Sequence, residues 1–232
     1  MDLRGVLLDL DGTLIDHEGA VADALHSWLP TLGVSATAEV LQLWSAAQER
    51  HLIGWRERRI SFQEQRRRRL RDFLPAVGVP FVDDEAHLDD VFAGYLRWYE
   101  KSWRVFNDVE ETLTAIHRAG LQTAVLTNGT IEQQNDKLAR VGLAGRVGPV
   151  YTAEELGAAK PASEAYLAAC QRWGLLSAAV LHVGDRYDLD VEAARSAGLR
   201  AVHLDRTNER PSDTPDRIVS LSELIRLLSA PC

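Results

Sequence analysis

Two carboxylates, Asp9 and Asp11, stand two residues apart where the apolar run 6-VLLDLDGTLID-16 ends, followed at once by Gly12 and Thr13. An acid closing a fully apolar strand is costly unless it is paired or metal-bound. Other polar groups stand at the ends of other apolar runs. Thr127-Asn128-Gly129 follows 121-LQTAVL, and Lys160-Pro161 comes shortly after 148-GPVYT. Gly184-Asp185 closes 178-AAVLHV, with Asp188 and Asp190 just beyond. Asp9, Asp11 and Asp185 gathered within a few ångströms would repel by about 4 kcal/mol per pair at a surface-like dielectric. An octahedral Mg²⁺ held by one or two carboxylates, a carbonyl and water would relieve this, and it accepts phosphate oxygen as a further ligand. Lys160 adds a positive charge, and Thr127 offers a hydroxyl and nearby N–H groups at a strand-to-helix turn, a favourable place for an anion. The set makes a cradle for a phosphoryl group. A carboxylate that attacks phosphorus splits one hard transfer into two easier ones. A second carboxylate two residues on can act as acid towards the leaving oxygen and then as base towards water.

Such residues converge only if the elements behind them do. Residues 105–230 alternate short β-branched runs (121–127, 148–152, 178–183 and 199–204) with helix-period stretches near 108–119, 130–141, 162–173, 188–197 and 221–229. Alternation of this kind, with strands apolar on both sides, predicts a parallel sheet with helices on both faces. The strand at 4–10 belongs at its centre. In open parallel sheets ligands bind outside the carboxyl ends of the strands, which is where the acids, Thr127 and Lys160 fall. Residues 15–104 lack the alternation. They hold helix-period segments near 18–32, 37–59, 61–74 and 83–102, separated by 33-GVSAT, 75-PAVGVP and the cap signal Asp83-Asp84. Leu25, Trp28, Leu29 and Leu32 repeat at the spacing of a buried helix face. The prediction is an α/β, Rossmann-like, doubly wound parallel core formed by 1–14 and 105–232, with an all-helical domain, 15–104, inserted after the first strand. The stretch 207-TNERPSDTPD-216 reads as a loop.

Bulk properties narrow the partners. With 232 residues, 46% hydrophobic and 26% charged, the chain has globular composition. A net charge of -8 argues against a general nucleic-acid or anionic-membrane binder. The two cysteines, Cys170 and Cys232, have no zinc or disulfide spacing, which fits a reducing, cytoplasmic setting. The first strand begins too early for a secretory leader, and no apolar run approaches a membrane span.

On these motifs the sequence resembles the haloacid dehalogenase superfamily, whose members are mostly phosphatases. Its four motifs stand here as 9-DLDGT-13, Thr127 in 126-LTNG-129, Lys160 in 157-GAAKPASEAY-166, and 184-GDRYDLD-190. The resemblance implies that Asp9 is the nucleophile and Asp11 the general acid/base. It implies that Thr127 and Lys160 hold the phosphoryl group with help from Asn128. Mg²⁺ would be held by the Asp9 carboxylate, the Asp11 backbone carbonyl and Asp185, with Asp190 acting one shell out through water. The insert falls where the family places its type-one cap, which selects the substrate. The expected activity is Mg²⁺-dependent hydrolysis of a small phosphomonoester, such as a nucleotide, a sugar phosphate or a phosphoglycolate-like compound. A phosphomutase is the nearest alternative, but its relatives use a cap lysine, and the only lysines here are Lys101, Lys137 and Lys160. A dehalogenase would lack the second acid, Asp11. A non-catalytic phosphate-binding protein would be expected to have lost Asp9 or Asp11.

Other conspicuous residues have plainer readings. Arg66 to Arg69 invite a nucleic-acid reading, yet four consecutive helical residues fan around the helix instead of forming a stripe. Residues 14–104 carry 12 Lys plus Arg against 14 Asp plus Glu, so the insert is not basic. Most of Trp28, Trp44, Trp55, Trp98 and Trp103 read as bundle core and hinge packing. His17 reads as a hinge residue and His182 as a structural one within a strand.

Overall fold

The computed structural model describes residues 2–211 and 216–229. The expected loop at 207–216 therefore has 212–215 outside the described residues, and Cys232 lies outside them too. The chain divides into two compact units. One contains the residues up to Asp16 together with those from Arg104 onward, and the other is His17–Trp103.

The first unit is built on six parallel strands: β1 (Gly5–Leu8), β2 (Gln122–Thr127), β3 (Val150–Thr152), β4 (Val180–Gly184), β5 (Arg200–Leu204) and β6 (Arg217–Ile218). Their order across the sheet is β3-β2-β1-β4-β5-β6, which puts β1 between β2 and β4. Leu7 pairs in register with Ala124 on one side and His182 on the other. Every residue of β1 is buried, because both faces of the sheet are covered. Val6 and Leu8 join one core cluster with Val125, Val183, Leu113 and Leu224, while Leu7 joins the opposite one with Ala124, Tyr166 and Ala194. The period-two alternation of a strand makes this division. The covering helices are α5 (Val109–Arg118), α6 (Ile131–Arg140), α7 (Ala153–Leu156), α8 (Ser163–Trp173), α9 (Ala193–Ser196) and α10 (Leu221–Ser229), numbered after the four of the other unit.

The second unit is helical throughout: α1 (His17–Trp28), a 3₁₀ turn at Leu29–Leu32, α2 (Ala38–Arg56), α3 (Phe62–Ala76) and α4 (Glu85–Lys101). Thr37, Ser61 and Asp84 cap α2, α3 and α4, each accepting a backbone N–H from three residues on. Its interior is aromatic. The Trp44 ring lies 5.5 Å from Trp28, 5.0 Å from Phe73 and 4.5 Å from Tyr95, centroid to centroid. Trp28 and Trp44 are thus packing groups of the bundle, whereas Trp98 is exposed.

Two elements depart from the sequence pattern. The helix expected near 188–197 is a π-helical turn at Tyr187–Glu192 followed by the short α9. The wide turn returns the Asp190 side chain towards Gly184, and the Asp190 carboxylate accepts the Arg186 N–H at 3.0 Å. β6 was not expected at all, and two residues are too few to show alternation.

Candidate active site

The polar residues at the carboxyl edge of the sheet interlock. Asp9 directly follows β1, and its N–H bonds to the carbonyl of Val183 in β4. Its Oδ1 lies 2.5 Å from Lys160 Nζ, and the same ammonium reaches Asp190 Oδ1 at 2.6 Å. Asp190 Oδ1 also bonds His182 Nε2 at 3.0 Å, from the middle of β4. Asp9, Lys160, His182 and Asp190 are all buried. Asp185 completes the group: carboxylate oxygens of Asp9, Asp185 and Asp190 all lie within 4.8 Å of one another.

Two glycines allow this approach. Gly12 has φ +88°, and a Cβ there would stand 2.4 Å from Asp185 Oδ2. A Cβ on Gly184 would stand 2.2 Å from Asp190 Cγ. The first lets the loops after β1 and β4 touch, and the second lets the turn after β4 fold back on the end of its own strand. His203 Nε2, reaching over from β5, donates to the Asp185 carbonyl at 2.9 Å and fixes the backbone of that loop.

Lys160 is anchored through its backbone as well as its charge. Asn128 donates from Nδ2 to the Lys160 carbonyl at 2.8 Å, and its Oδ1 accepts the Lys160 N–H at 2.9 Å. The Lys160-Pro161 peptide is cis. The Asn128 amide is therefore occupied in joining the loops after β2 and β3, so in this arrangement it serves to place Lys160. Thr127 Oγ1 accepts from Gln134 Nε2 at 2.8 Å. The Asp11 side chain takes a separate direction and pairs with Lys137, whose Nζ lies 2.6 Å from Oδ1 and 2.9 Å from Oδ2. Gln134 reaches Asp11 Oδ2 at 3.4 Å. Asp188, outside the motif positions, is exposed and pairs with Arg186.

The electrostatics follow from burial. Asp9 is pushed up to about 7, chiefly by burial and further by Asp190 and Asp11, against the opposing pull of Lys160. Asp185 is raised well above the ordinary carboxylate value by burial, then by Asp9 and Asp190. Burial acts on Asp190 in the same sense, but Lys160 and His182 outweigh it and hold its carboxyl low. Lys160 is held high by Asp190 and Asp9, although burial alone would lower it. One ammonium is thus shared between Asp9 and Asp190, with Asp185 close by, so the three carboxylates outnumber the positive charge that pairs with them. A hard divalent cation fits that donor set, since it takes oxygen ligands and supplies the missing positive charge. Asp190, already accepting from Lys160, His182 and Arg186, has the least of its carboxylate to spare.

Lys137 and Gln134 were not anticipated. Both lie on α6, whose sequence 131-IEQQNDKLAR is mostly polar, yet both are buried together with Leu138. The trace in the sequence is their spacing. Positions 134, 137 and 138 share one helix face, and the helix begins just past the Thr127 turn.

With this geometry, the chain belongs to the haloacid dehalogenase-like hydrolases, the family description that matches residues 3–198. It is similar to a phosphoserine phosphatase from Thermus thermophilus, 35% identical over 127 residues, which are 53% of this chain and 51% of that protein. It is also similar to a phosphoglycolate phosphatase from Salmonella typhi, 28% identical over 88% of this chain and 81% of the relative. The chain spans about half the length of the first of these. The fold is that of the HAD-hydrolase YfnB from Bacillus subtilis, solved bound to magnesium, with a TM-score of 0.81, 21% identity, and 99% of this chain and 100% of that one covered. Among the described residues, no helix is long and apolar enough to cross a membrane.

Proposed function

We propose that this protein is a Mg²⁺-dependent phosphatase that hydrolyses a small-metabolite phosphomonoester through an aspartyl-phosphate on Asp9. The observation that carries the reading is the contact of Asp9 with Lys160 inside a cluster of three carboxylates, beside a second, separately paired acid, Asp11. An Asp9 oxygen attacks phosphorus, and the ester oxygen leaves with a proton from Asp11. Water then attacks the acyl phosphate while Asp11 takes its proton back. Lys160 favours the ionised form of Asp9 and offsets charge on the transferring group, and the Thr127 hydroxyl and nearby N–H groups hold its oxygens. Asn128 supports the group by fixing Lys160. Mg²⁺ would be held by the Asp9 carboxylate, the Asp11 backbone carbonyl and Asp185, with Asp190 behind them. When bound, it supplies positive charge against the phosphoryl oxygens.

The inserted segment, 15–104, is read as the substrate-selecting cap of a core formed by 1–14 and 105–232. The relatives' names range over phosphoserine, glyceraldehyde 3-phosphate and phosphoglycolate, which supports a small phosphorylated metabolite as substrate class. Asp11 weighs against dehalogenation, because a halide departs without needing a proton. The test is phosphate release from p-nitrophenyl phosphate with and without Mg²⁺. Turnover should require Mg²⁺ and vanish in a folded Asp9→Asn protein. An Asp9→Asn variant working at the wild-type rate would end this assignment.

A further inference from the structure

Thr127 ends β2, and its side chain is buried. A hydroxyl has one proton to give and lone pairs to accept with, so its neighbours decide which way it donates. Gln134, in the first turn of α6, is 2% exposed, and its Nε2 donates to Thr127 Oγ1 at 2.8 Å. The same nitrogen faces Asp11 Oδ2 at 3.4 Å. Both Asp11 oxygens also face the Lys137 ammonium, so they act as acceptors. A glutamine amide beside such a carboxylate must turn its N–H edge, not its carbonyl, towards it. Asp11 thereby sets the amide, and the amide sets the hydroxyl: Thr127 Oγ1 accepts from Gln134 and keeps its own proton to give. Among the described residues, no protein acceptor takes that proton.

The local structure makes room for this bond and gives the amide little else to do. A Cβ on Gly129 would stand 2.6 Å from Gln134 Nε2, so the glycine after Asn128 lets the amide lie against the turn. Gln134 Oε1 is buried with no partner. The side chain is therefore anchored through its nitrogen alone. A buried amide with one end unpartnered is a costly packing group. What it supplies is a fixed donor between Asp11 and Thr127.

We propose that Gln134 is a positioning residue for phosphate: by donating into the Thr127 hydroxyl, it keeps that hydroxyl's proton directed at a phosphoryl oxygen of the substrate. The role rests on the phosphatase reading, which places the phosphoryl group beside Thr127. A donor already aimed at the anion needs no rearrangement when the anion arrives. Without the amide the hydroxyl is free to rotate, and its proton is no longer aimed.

The test is a double-mutant cycle on the full chain with Mg²⁺ present, read by calorimetry with inorganic phosphate as the probe. Thr127→Val, which keeps the branched shape and loses the hydroxyl, should weaken phosphate binding about tenfold, the size of one lost hydrogen bond to a charged group. Gln134→Met, which keeps the length and loses the donor, should weaken it about fivefold by itself. In the Thr127→Val background Gln134→Met should add nothing, because no hydroxyl is left to aim. In a Thr127→Ser background its effect should return. Additive losses, or wild-type phosphate affinity in a folded Gln134→Met protein, would overturn the proposal and leave Gln134 as a packing group of α6. Should Gln134→Met fail to fold, Gln134→Glu, which keeps the shape and replaces the donor with an acceptor, takes its place in the cycle with the same two outcomes. A wild-type protein with no affinity for phosphate would overturn the proposal equally. The phosphatase reading fails by a different result, turnover at the wild-type rate in Asp9→Asn, whereas the cycle reads phosphate binding and judges Gln134 separately.

Discussion

The ammonium of Lys137 sits astride the Asp11 carboxylate, 2.6 Å from one oxygen and 2.9 Å from the other. Lys137 is buried, and Asp11 is partly exposed. The pair therefore fixes the direction of the carboxylate from behind and leaves it accessible in front. If Asp11 moves the proton at the leaving oxygen, a carboxylate loose by one rotamer will do so poorly. Lys137→Met should lower kcat for p-nitrophenyl phosphate by about a hundredfold, the lower end of what acid–base assistance contributes. KM should change little, and Lys137→Arg should recover part of the rate. Unchanged kcat in a folded Lys137→Met protein would detach Lys137 from the chemistry.

The close approach of Gly12 to Asp185 gives a second expectation. Gly12→Ala places a methyl 2.4 Å from Asp185 Oδ2 and forces an L-residue to φ +88°. A non-glycine residue at such a φ costs about 1–2 kcal/mol before any clash. Denaturant unfolding should show a loss of at least that size, and Mg²⁺ titration should show weakened binding, because the loops after β1 and β4 are pushed apart. Gly33→Ala is the control. Its φ is +74°, but a Cβ there meets nothing within 4 Å, so it should carry the backbone cost alone and leave Mg²⁺ affinity intact.

Much of this edge is legible in the sequence because strand ends impose an order. Asp9, Thr127, Lys160 and Asp185 each follow an apolar run, and a parallel sheet delivers such positions to one side. Helix positions such as Gln134 and Lys137 are harder to find. A lysine on a polar helix looks solvated, and only the tertiary partner, Asp11, makes its burial intelligible. The π-helical turn was hidden for a related reason: its cause is the side-chain bond from Asp190 back to the Arg186 N–H, which no periodicity records.

The raised carboxyls set the pH dependence of metal binding. Asp9 is pushed up to about 7 and Asp185 well above its ordinary value, so in the metal-free protein both retain protons well above the pH at which an unfolded chain loses them. The folded state then binds more protons than the unfolded state from about pH 4 towards 7, and metal-free stability must fall as pH rises through that window. A divalent cation needs the anionic forms, so binding displaces protons. Calorimetry at pH 6.5 in buffers of different ionisation enthalpy should show net proton release on adding Mg²⁺, with affinity rising towards pH 7.5. Affinity that is flat across this range would mean the carboxylates are already ionised.

Asp205 works in the opposite direction. It directly follows β5 and is buried, accepting from the Arg217 Nε at 2.8 Å and from the N–H groups of Arg210 and Glu209 at 2.9 and 3.2 Å. Burial alone would raise its carboxyl, but the Arg210 N–H, the Arg217 guanidinium and the Glu209 N–H together bring it down to about 2. The folded-state value lies below the unfolded one, so the stabilisation is fully present above about pH 4 and is lost as pH falls through 2. Asp205→Asn removes the charge while keeping one acceptor. It should cost about 1–3 kcal/mol at pH 7, as expected when buried donors lose a charged acceptor. The difference from wild type in urea unfolding should shrink steadily below pH 4, and a pH-independent difference would show that packing around residue 205, not its charge, carries the effect.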